Sequence, residues 1–319
     1  MVKKKSCILL ASSASYTRYS EYVASHIRQA GLSDIPIFIA SADATPSELR
    51  GHSADIMSIE VSGFISKLPQ SERLREFGYW RIPGIAEAAK AYDRILYLDS
   101  DIHVESSNLE KLLSIDMQGA PIAAVRDVHQ SVRPHREANE FKKLGWNNAP
   151  YFNAGVMLID GAKFLRDNAI EMIENCAQKF PEALTTYDQS LLNITYYENW
   201  LELSPVWNWQ LSHRNFRIYP SFDVELIHVA GETKPWSEGS GYIPKNILMK
   251  YREFIGDHSH RAVHERLAIK DLKYFLKNQW YFKNYRNWVE RFESKFEGIL
   301  VKDLTEQMAS SITSEQTEA

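Results

Sequence analysis

Four short segments of this sequence hold residues whose types and spacing could do chemistry. LYLDSD (96–101) is an apolar run ending in Asp99 and Asp101. In an extended chain residues i and i+2 point the same way. Both carboxylates can then converge on one hard cation, such as Mn²⁺ or Mg²⁺, through oxygen ligands. YFNAGVMLID (151–160) sets Asn153 before a small-residue pair and an apolar run. YDQSLLN (187–193) sets Asp188 and Gln189 at a helix start, where an acidic side chain can also cap. IHVAGETKPW (227–236) carries His228, Gly231 and Lys234. Histidine is a good borderline ligand for Mn²⁺, glycine permits close approach of backbone to a ligand, and lysine brings a point charge for a phosphate.

Each residue also has a plain structural reading. A chain of this length holds on the order of one D-x-D by chance, and the pair can simply mark a strand meeting water. Asn153 can turn the chain, Asp188 can cap, His228 can be a satisfied core histidine and Lys234 a solvated charge. The combination, not any one residue, carries the chemical reading. An aspartyl nucleophile, as in haloacid-dehalogenase phosphatases, is disfavoured: Ile102-His103 follows the pair where those enzymes place a small residue and Thr or Val, and no downstream acidic doublet is present. Neither G-x-G-x-x-G nor G-x-x-x-x-G-K-[ST] occurs. A diphosphate bound by this chain therefore needs another neutralising group, and a cation on Asp99 and Asp101 would serve.

The elements that must position these residues alternate. Strands are expected at SCILLA (6–11), IPIFIA (35–40), DIMSIEV (55–61), RILYLD (94–99), IAAV (122–125), AGVMLID (154–160) and, last, VELIHVA (224–230). Tyr19, Val23, Ile27 and Ala30 lie at helical spacing before a capping Gly31. Thr45-Pro46-Ser47-Glu48 has a capping-box pattern with proline at the first helical position. Further helices are expected at 79–91, 167–180 and 185–196. This order predicts an α/β fold with a mostly parallel sheet, whose ligands bind beyond the carboxyl ends of the strands. Residues 126–150 read as one long polar, basic loop of the kind that forms lids or binding loops.

The four segments, in this order and spacing, resemble glycosyltransferase family 8, which includes glycogenin and the bacterial lipooligosaccharide galactosyltransferases; the resemblance covers about residues 6–236. It implies a GT-A fold, a Rossmann-like sheet flanked by helices. It also implies retaining transfer of a hexose, galactose or glucose, from a UDP-sugar with Mn²⁺ (or Mg²⁺). The acceptor would be a glycan or lipid-linked saccharide, in lipopolysaccharide, lipooligosaccharide or other surface polysaccharide synthesis. By match, Asp99, Asp101 and His228 are the metal ligands, and Gly231 and Lys234 contact the diphosphate. Ala11, Ser13, Tyr16 and Ser100 lie along the nucleoside. Arg81, Asp127, Asn153, Asp188 and Gln189 surround the donor sugar, with Asp188 and Gln189 the catalytic pair. Gln189 is a poor nucleophile and Asp188 the nearest carboxylate, so front-face attack is favoured over double displacement. The first loop departs from the pattern. It reads ASSAS before Tyr16, where relatives carry acidic or amide residues, so backbone contacts from Ala11 are expected there but no carboxylate for the base. Two alternatives share the fold: a catalytically silent sugar-nucleotide-binding protein, and a self-glucosylating protein, for which 16 tyrosines leave room.

Composition bounds the rest. The chain has 319 residues, 44% hydrophobic, with net charge −4, which argues against a general nucleic-acid partner. Two cysteines make neither a disulfide framework nor a cysteine zinc site and fit a reducing compartment. The run CILLA after MVKKKS is too short for a signal sequence and reads as the first strand. No stretch approaches 18 uninterrupted apolar residues. The expected division is a catalytic domain at 1–243, a helical C-terminal region at 244–302 and a flexible tail at 303–319. Residues 270–296 hold seven Lys/Arg against three Asp/Glu, with Tyr281, Tyr285, Trp288, Phe292 and Phe296 at helical spacing. Such a stripe can lie on an anionic membrane or pack on the catalytic domain or a second subunit. The expected location is the cytoplasm, with peripheral contact on the inner face of its membrane in the first case.

Overall fold

The computed structural model describes residues 5–69, 76–131, 133, 136–211, 219–231, 234–236, 243–256 and 279–305. From the start of the chain come β1 (Ser6–Ala11), α1 (Thr17–Gln29), β2 (Ile37–Ser41), β3 (Asp55–Ser58), α2 (Ser62–Ile65), α3 (Arg81–Ala89), β4 (Arg94–Leu98) and β5 (Ile102–Val104). The middle holds α4 (Leu109–Leu113), β6 (Ile122–Arg126), α5 (Val128–Ser131), α6 (Asn139–Leu144), β7 (Phe152–Asp160), α7 (Gly161–Arg166), α8 (Ala169–Lys179) and α9 (Asp188–Thr195). Then follow β8 (Leu201–Leu203), β9 (Trp209–Gln210), β10 (Leu226–His228), α10 (Lys245–Ile255), α11 (Gln279–Glu290) and β11 (Gly298–Leu300).

Eight strands form one sheet in the order β11-β8-β6-β7-β4-β1-β2-β3, and β5-β10-β9 form a second, smaller one. The large sheet is parallel from β4 through β1 and β2 to β3 and between β6 and β8, and antiparallel on both sides of β7 and at β11. Its central strands are apolar on both faces because each face has its own core. Ile8, Leu10, Leu96 and Leu98 meet Tyr22, Val23 and Ile27 of α1 on one side. Cys7, Leu9, Ile95 and Tyr97 meet Ile82 and Ile85 of α3 and Leu191 of α9 on the other. Helix α1 ends where expected: Gly31 takes φ +94° and its N–H bonds the Arg28 carbonyl at 3.0 Å.

Several expectations need correction. The capping box forms, with Thr45 N–H on Glu48 Oε2 at 2.6 Å, but it opens only a single 3₁₀ turn, Pro46–Glu48. The 126–150 segment is no plain loop, since α5 and α6 lie within it. VELIHVA is neither the last strand nor part of the large sheet. It pairs antiparallel with β5, a three-residue strand too short to register as a pattern.

The core also crosses the expected boundary at 243. β11 is an edge strand of the large sheet, paired with β8. Ile247, Tyr251, Tyr285 and Trp288 share the α1-side core, and Phe292 and Phe296 pack against it. Trp288 Nε1–H donates to Glu202 Oε1 at 2.9 Å, and the buried Glu202 also pairs with Arg126 on β6. Tyr285, Trp288, Phe292 and Phe296 of the aromatic stripe thus serve packing on this core, while 270–278 and the Tyr281 side chain lie outside what is described. Residues 301–305 are helical with Leu304 buried, so the tail does not begin at 303; 306–319 also lies outside. Among the described residues no helix is long and apolar enough to cross a membrane.

Trp288→Ala removes a large buried side chain and one donor to Glu202. It is expected to cost about 3–5 kcal/mol in urea denaturation, and Trp288→Phe, which removes chiefly the donor, about 1–3 kcal/mol.

Candidate active site

The aspartate pair sits where the two sheets meet. β4 stops at Leu98, Ile102 N–H bonds the Asp99 carbonyl at 3.2 Å to close a turn, and β5 starts at once in the small sheet. Asp99 and Asp101 therefore converge through a turn, not through the alternation of an extended strand. Val229 N–H bonds the Asp101 carbonyl at 3.1 Å, and His228 pairs with Ile102 across β5 and β10. A third wall comes from β7, whose Gly155 carbonyl accepts from Asp99 N–H at 2.9 Å. β7 bulges opposite β6 here: Ala124 pairs with Met157, but Val125 pairs with Asn153. Such bulges re-aim side chains beside functional sites.

One side of Asp99 is fixed, because its Oδ1 accepts from Tyr97 O–H at 2.8 Å and pairs with Arg81 Nη2 at 3.1 Å. Its Oδ2 lies 3.9 Å from His228 Nε2. Asp101 Oδ1 lies 3.2 Å from the same nitrogen and is buried without a hydrogen-bond partner among the described residues, while its Oδ2 accepts from Lys234 Nζ at 2.5 Å. One ligand atom from each of Asp99, Asp101 and His228 lies within 4.8 Å of the others. Two carboxylates, one with an orphaned buried oxygen, and an imidazole are a donor set that suits Mn²⁺ or Mg²⁺. Burial alone would raise the Asp101 pKa, but His228 and Lys234 outweigh it and hold the carboxyl well below the usual range. Gly155 makes the approach sterically open: a Cβ there would lie 2.2 Å from His228 Cε1 and 3.0 Å from Asp99 Oδ2.

A second group of polar side chains adjoins the first through Arg81, at the first turn of α3. Its Nε meets Asp188 Oδ2 at 2.7 Å and its Nη1–H donates to the Ala154 carbonyl at 2.7 Å. Burial pushes the Asp188 carboxyl up, against the Arg81 charge, to about 6. Gln189 Oε1 accepts from Asn153 Nδ2–H at 3.2 Å and from Ala154 N–H at 3.1 Å, and its Nε2–H reaches Asp127 Oδ2 at 3.4 Å. Arg81, Asp127, Asn153, Asp188 and Gln189 are thus contiguous. Tyr187, just before Asp188, is 41% exposed and holds φ +55°, strain of the kind retained at functional sites. A cavity of about 130 Å³ runs from Asp127 and Gln189 to Gln130, Glu140, Tyr151 and Thr186.

The remaining residues lie toward β1. Ala11 ends that strand, and the Ser13 and Ser15 hydroxyls bond each other at 3.0 Å. Ser100 Oγ is turned to Ser20 Oγ at 2.8 Å, away from the acids on either side of it. Tyr16 meets Tyr19, Phe77 and Trp236 in an aromatic cluster that ties the first loop to the KPW segment. Gly231 is exposed at φ +99°. The loop without an acid of its own has one from the bend that follows β2: Asp43 Oδ1 accepts from Ala14 N–H at 2.8 Å and from Ser41 Oγ–H at 3.0 Å. Asp43, Gly155 and Asn208, whose Oδ1 lies 3.0 Å from His228 Nδ1, escaped the sequence reading. Only Gly155 left a signal, the small-residue pair after Asn153.

Residues 9–239 match the family described as glycosyl transferase family 8. The chain belongs to that family. The chain is 30% identical over 189 residues to glycosyltransferase GlyA of Streptococcus pneumoniae, aligning 57% of its own length with 25% of GlyA. It is 26% identical over 230 residues to the lipopolysaccharide 1,2-glucosyltransferase of Escherichia coli, covering 65% of its own length and 66% of that enzyme. Against glycosyltransferase GlyF of S. pneumoniae it spans 54% of the relative. The solved galactosyltransferase LgtC, in complex with donor and acceptor sugar analogs, superposes with a TM-score of 0.65 at 21% identity over 78% of this chain and 95% of that one. The fold is GT-A.

Two outcomes follow from this geometry. Gly155→Ala should push His228 from Asp99 and weaken Mn²⁺ binding about tenfold or more, read from the free-ion electron paramagnetic resonance signal. Asp188 keeps its proton to about pH 6 when folded, against 3.8 ordinarily. Between those values the native state binds more protons than the unfolded one, so stability falls as pH rises. Metal-free wild type should lose about 1–3 kcal/mol relative to Asp188→Asn between about pH 4 and 6 and little beyond, by urea denaturation at stepped pH.

Proposed function

We propose that this chain is a metal-dependent, retaining hexosyltransferase that moves galactose or glucose from a UDP-sugar to a glycan or lipid-linked saccharide, in lipopolysaccharide, lipooligosaccharide or other surface polysaccharide synthesis. The observation that carries the reading is the cluster of Asp99, Asp101, His228 and Lys234, joined through Arg81 to Asp188 and, by way of the Ala154 backbone, to Gln189 and Asn153. The Escherichia coli relative and the galactosyltransferase LgtC support the hexose classes. Intact Asp99, Asp101, His228 and Lys234 argue against a catalytically silent binder.

Asp99, Asp101 and His228 would hold Mn²⁺ (or Mg²⁺), which when bound supplies positive charge against the leaving diphosphate. Lys234 exchanges Asp101 Oδ2 for a phosphate oxygen and stabilises the charge that grows there. Ala11, Ser13, Tyr16 and Ser100 line the nucleoside, and Gly231 lets backbone approach the diphosphate. Arg81, Asp127, Asn153, Asp188 and Gln189 orient the sugar as its anomeric carbon gains oxocarbenium character. Gln189 Oε1 already accepts two hydrogen bonds and Asp188 is held by Arg81, so neither is set for covalent attack. Retention then comes from front-face attack, with the acceptor hydroxyl proton passing to the leaving diphosphate. The cavity between Gln189 and Glu140 offers the acceptor a place. Buried free thiols at Cys7 and Cys176 suit the cytoplasm.

The test is UDP release from a panel of UDP-sugars with Mn²⁺, followed by proton NMR of the product anomer. Retained configuration and a loss of about 100-fold or more in Asp101→Ala are expected. An inverted product or near-normal activity of that variant overturns the reading.

A further inference from the structure

Asn208 lies outside every segment that stands out in the sequence. It is fully buried between a 3₁₀ turn, Pro205–Trp207, and β9, whose parallel pairing with β10 brings it beside His228. Its Oδ1 lies 3.0 Å from His228 Nδ1, and its Nδ2–H donates to Asn153 Oδ1 at 2.9 Å. Neighbours settle which way this amide points. Asn153 Oδ1 also accepts from Gly155 N–H at 3.0 Å, while Asn153 Nδ2–H is turned to Gln189 Oε1 at 3.2 Å. Asn208 must therefore present nitrogen to Asn153 and oxygen to His228. A carbonyl oxygen only accepts, so His228 Nδ1 carries a proton toward it. The other ring nitrogen, Nε2, is the one aimed at Asp101 Oδ1 and Asp99 Oδ2. Partners of this kind fix the tautomer and aim of a metal-binding histidine.

We propose that Asn208 is a positioning residue with two outputs. It sets His228 for a divalent cation, and through Asn153 and Gln189 it aligns the donor-sugar side with that cation. The proposal rests on the metal-dependent reading above. One buried amide then couples the two halves of the site, so that a change in either is felt by the other.

The two outputs are separable by substitution. Asn208→Asp keeps an acceptor for His228 Nδ1–H but cannot donate to Asn153. Asn208→Leu has neither. Mn²⁺ alone is titrated by its free-ion electron paramagnetic resonance signal, and UDP and UDP-hexose are compared by calorimetry. Asn208→Leu should weaken Mn²⁺ about 10- to 100-fold. Asn208→Asp should hold Mn²⁺ within about threefold of wild type and bind UDP normally, yet lose about tenfold in UDP-hexose affinity, the order expected for one buried hydrogen bond. If the leucine variant does not fold, the aspartate variant decides: a selective loss of UDP-hexose supports the proposal. Equal loss of Mn²⁺ and UDP-hexose in the aspartate variant, or wild-type Mn²⁺ affinity in the leucine variant, overturns it. A wild-type protein that takes up no Mn²⁺ overturns the metal reading and this proposal with it.

Discussion

Two carboxylates are drawn out of water at a corner between two sheets, and much of the surrounding structure answers that cost. Taking an anion from water without compensation is prohibitive. Asp99 is met by Arg81 and Tyr97, Asp101 by Lys234 and His228. These partners come from α3, β4, β10 and the segment after it, so the charge balance fixes where widely separated parts of the chain must end. Arg81 carries the arrangement onward to Asp188 and α9. The steric side is as strict: β7 must bulge and offer a glycine for His228 to reach the pair.

Much of this was legible in the sequence because it rests on short-range pattern. Central strands flanked by two cores are continuous apolar runs, and the site residues lie in compact segments at their ends. What escaped was set by tertiary pairing. β5 and β9 have three and two residues, too few for any periodicity to register. Asp99 and Asp101 converge as the residues suggested, but through a turn that the onset of β5 imposes. Asp43 reaches the first loop from the bend after a neighbouring strand, and Asn208 reaches His228 through sheet pairing. Neither approach leaves a mark in local sequence. The aromatic stripe near the C-terminal end had correct spacing but two readings, and only its contacts with Trp209 and Glu202 separate them.

The edge of the large sheet has a consequence for how the protein is made. β8 leaves one side open to pairing until β11, about a hundred residues later, docks on it. During synthesis from the N-terminus, the strands and helices around the aspartate corner emerge well before that cover does. For that interval a nearly complete domain carries a raw hydrogen-bonding edge beside the Glu202 carboxylate and without Trp288 over it. β11 is thus a seal as much as a structural element, and nascent chains stalled before it would be prone to pair with one another.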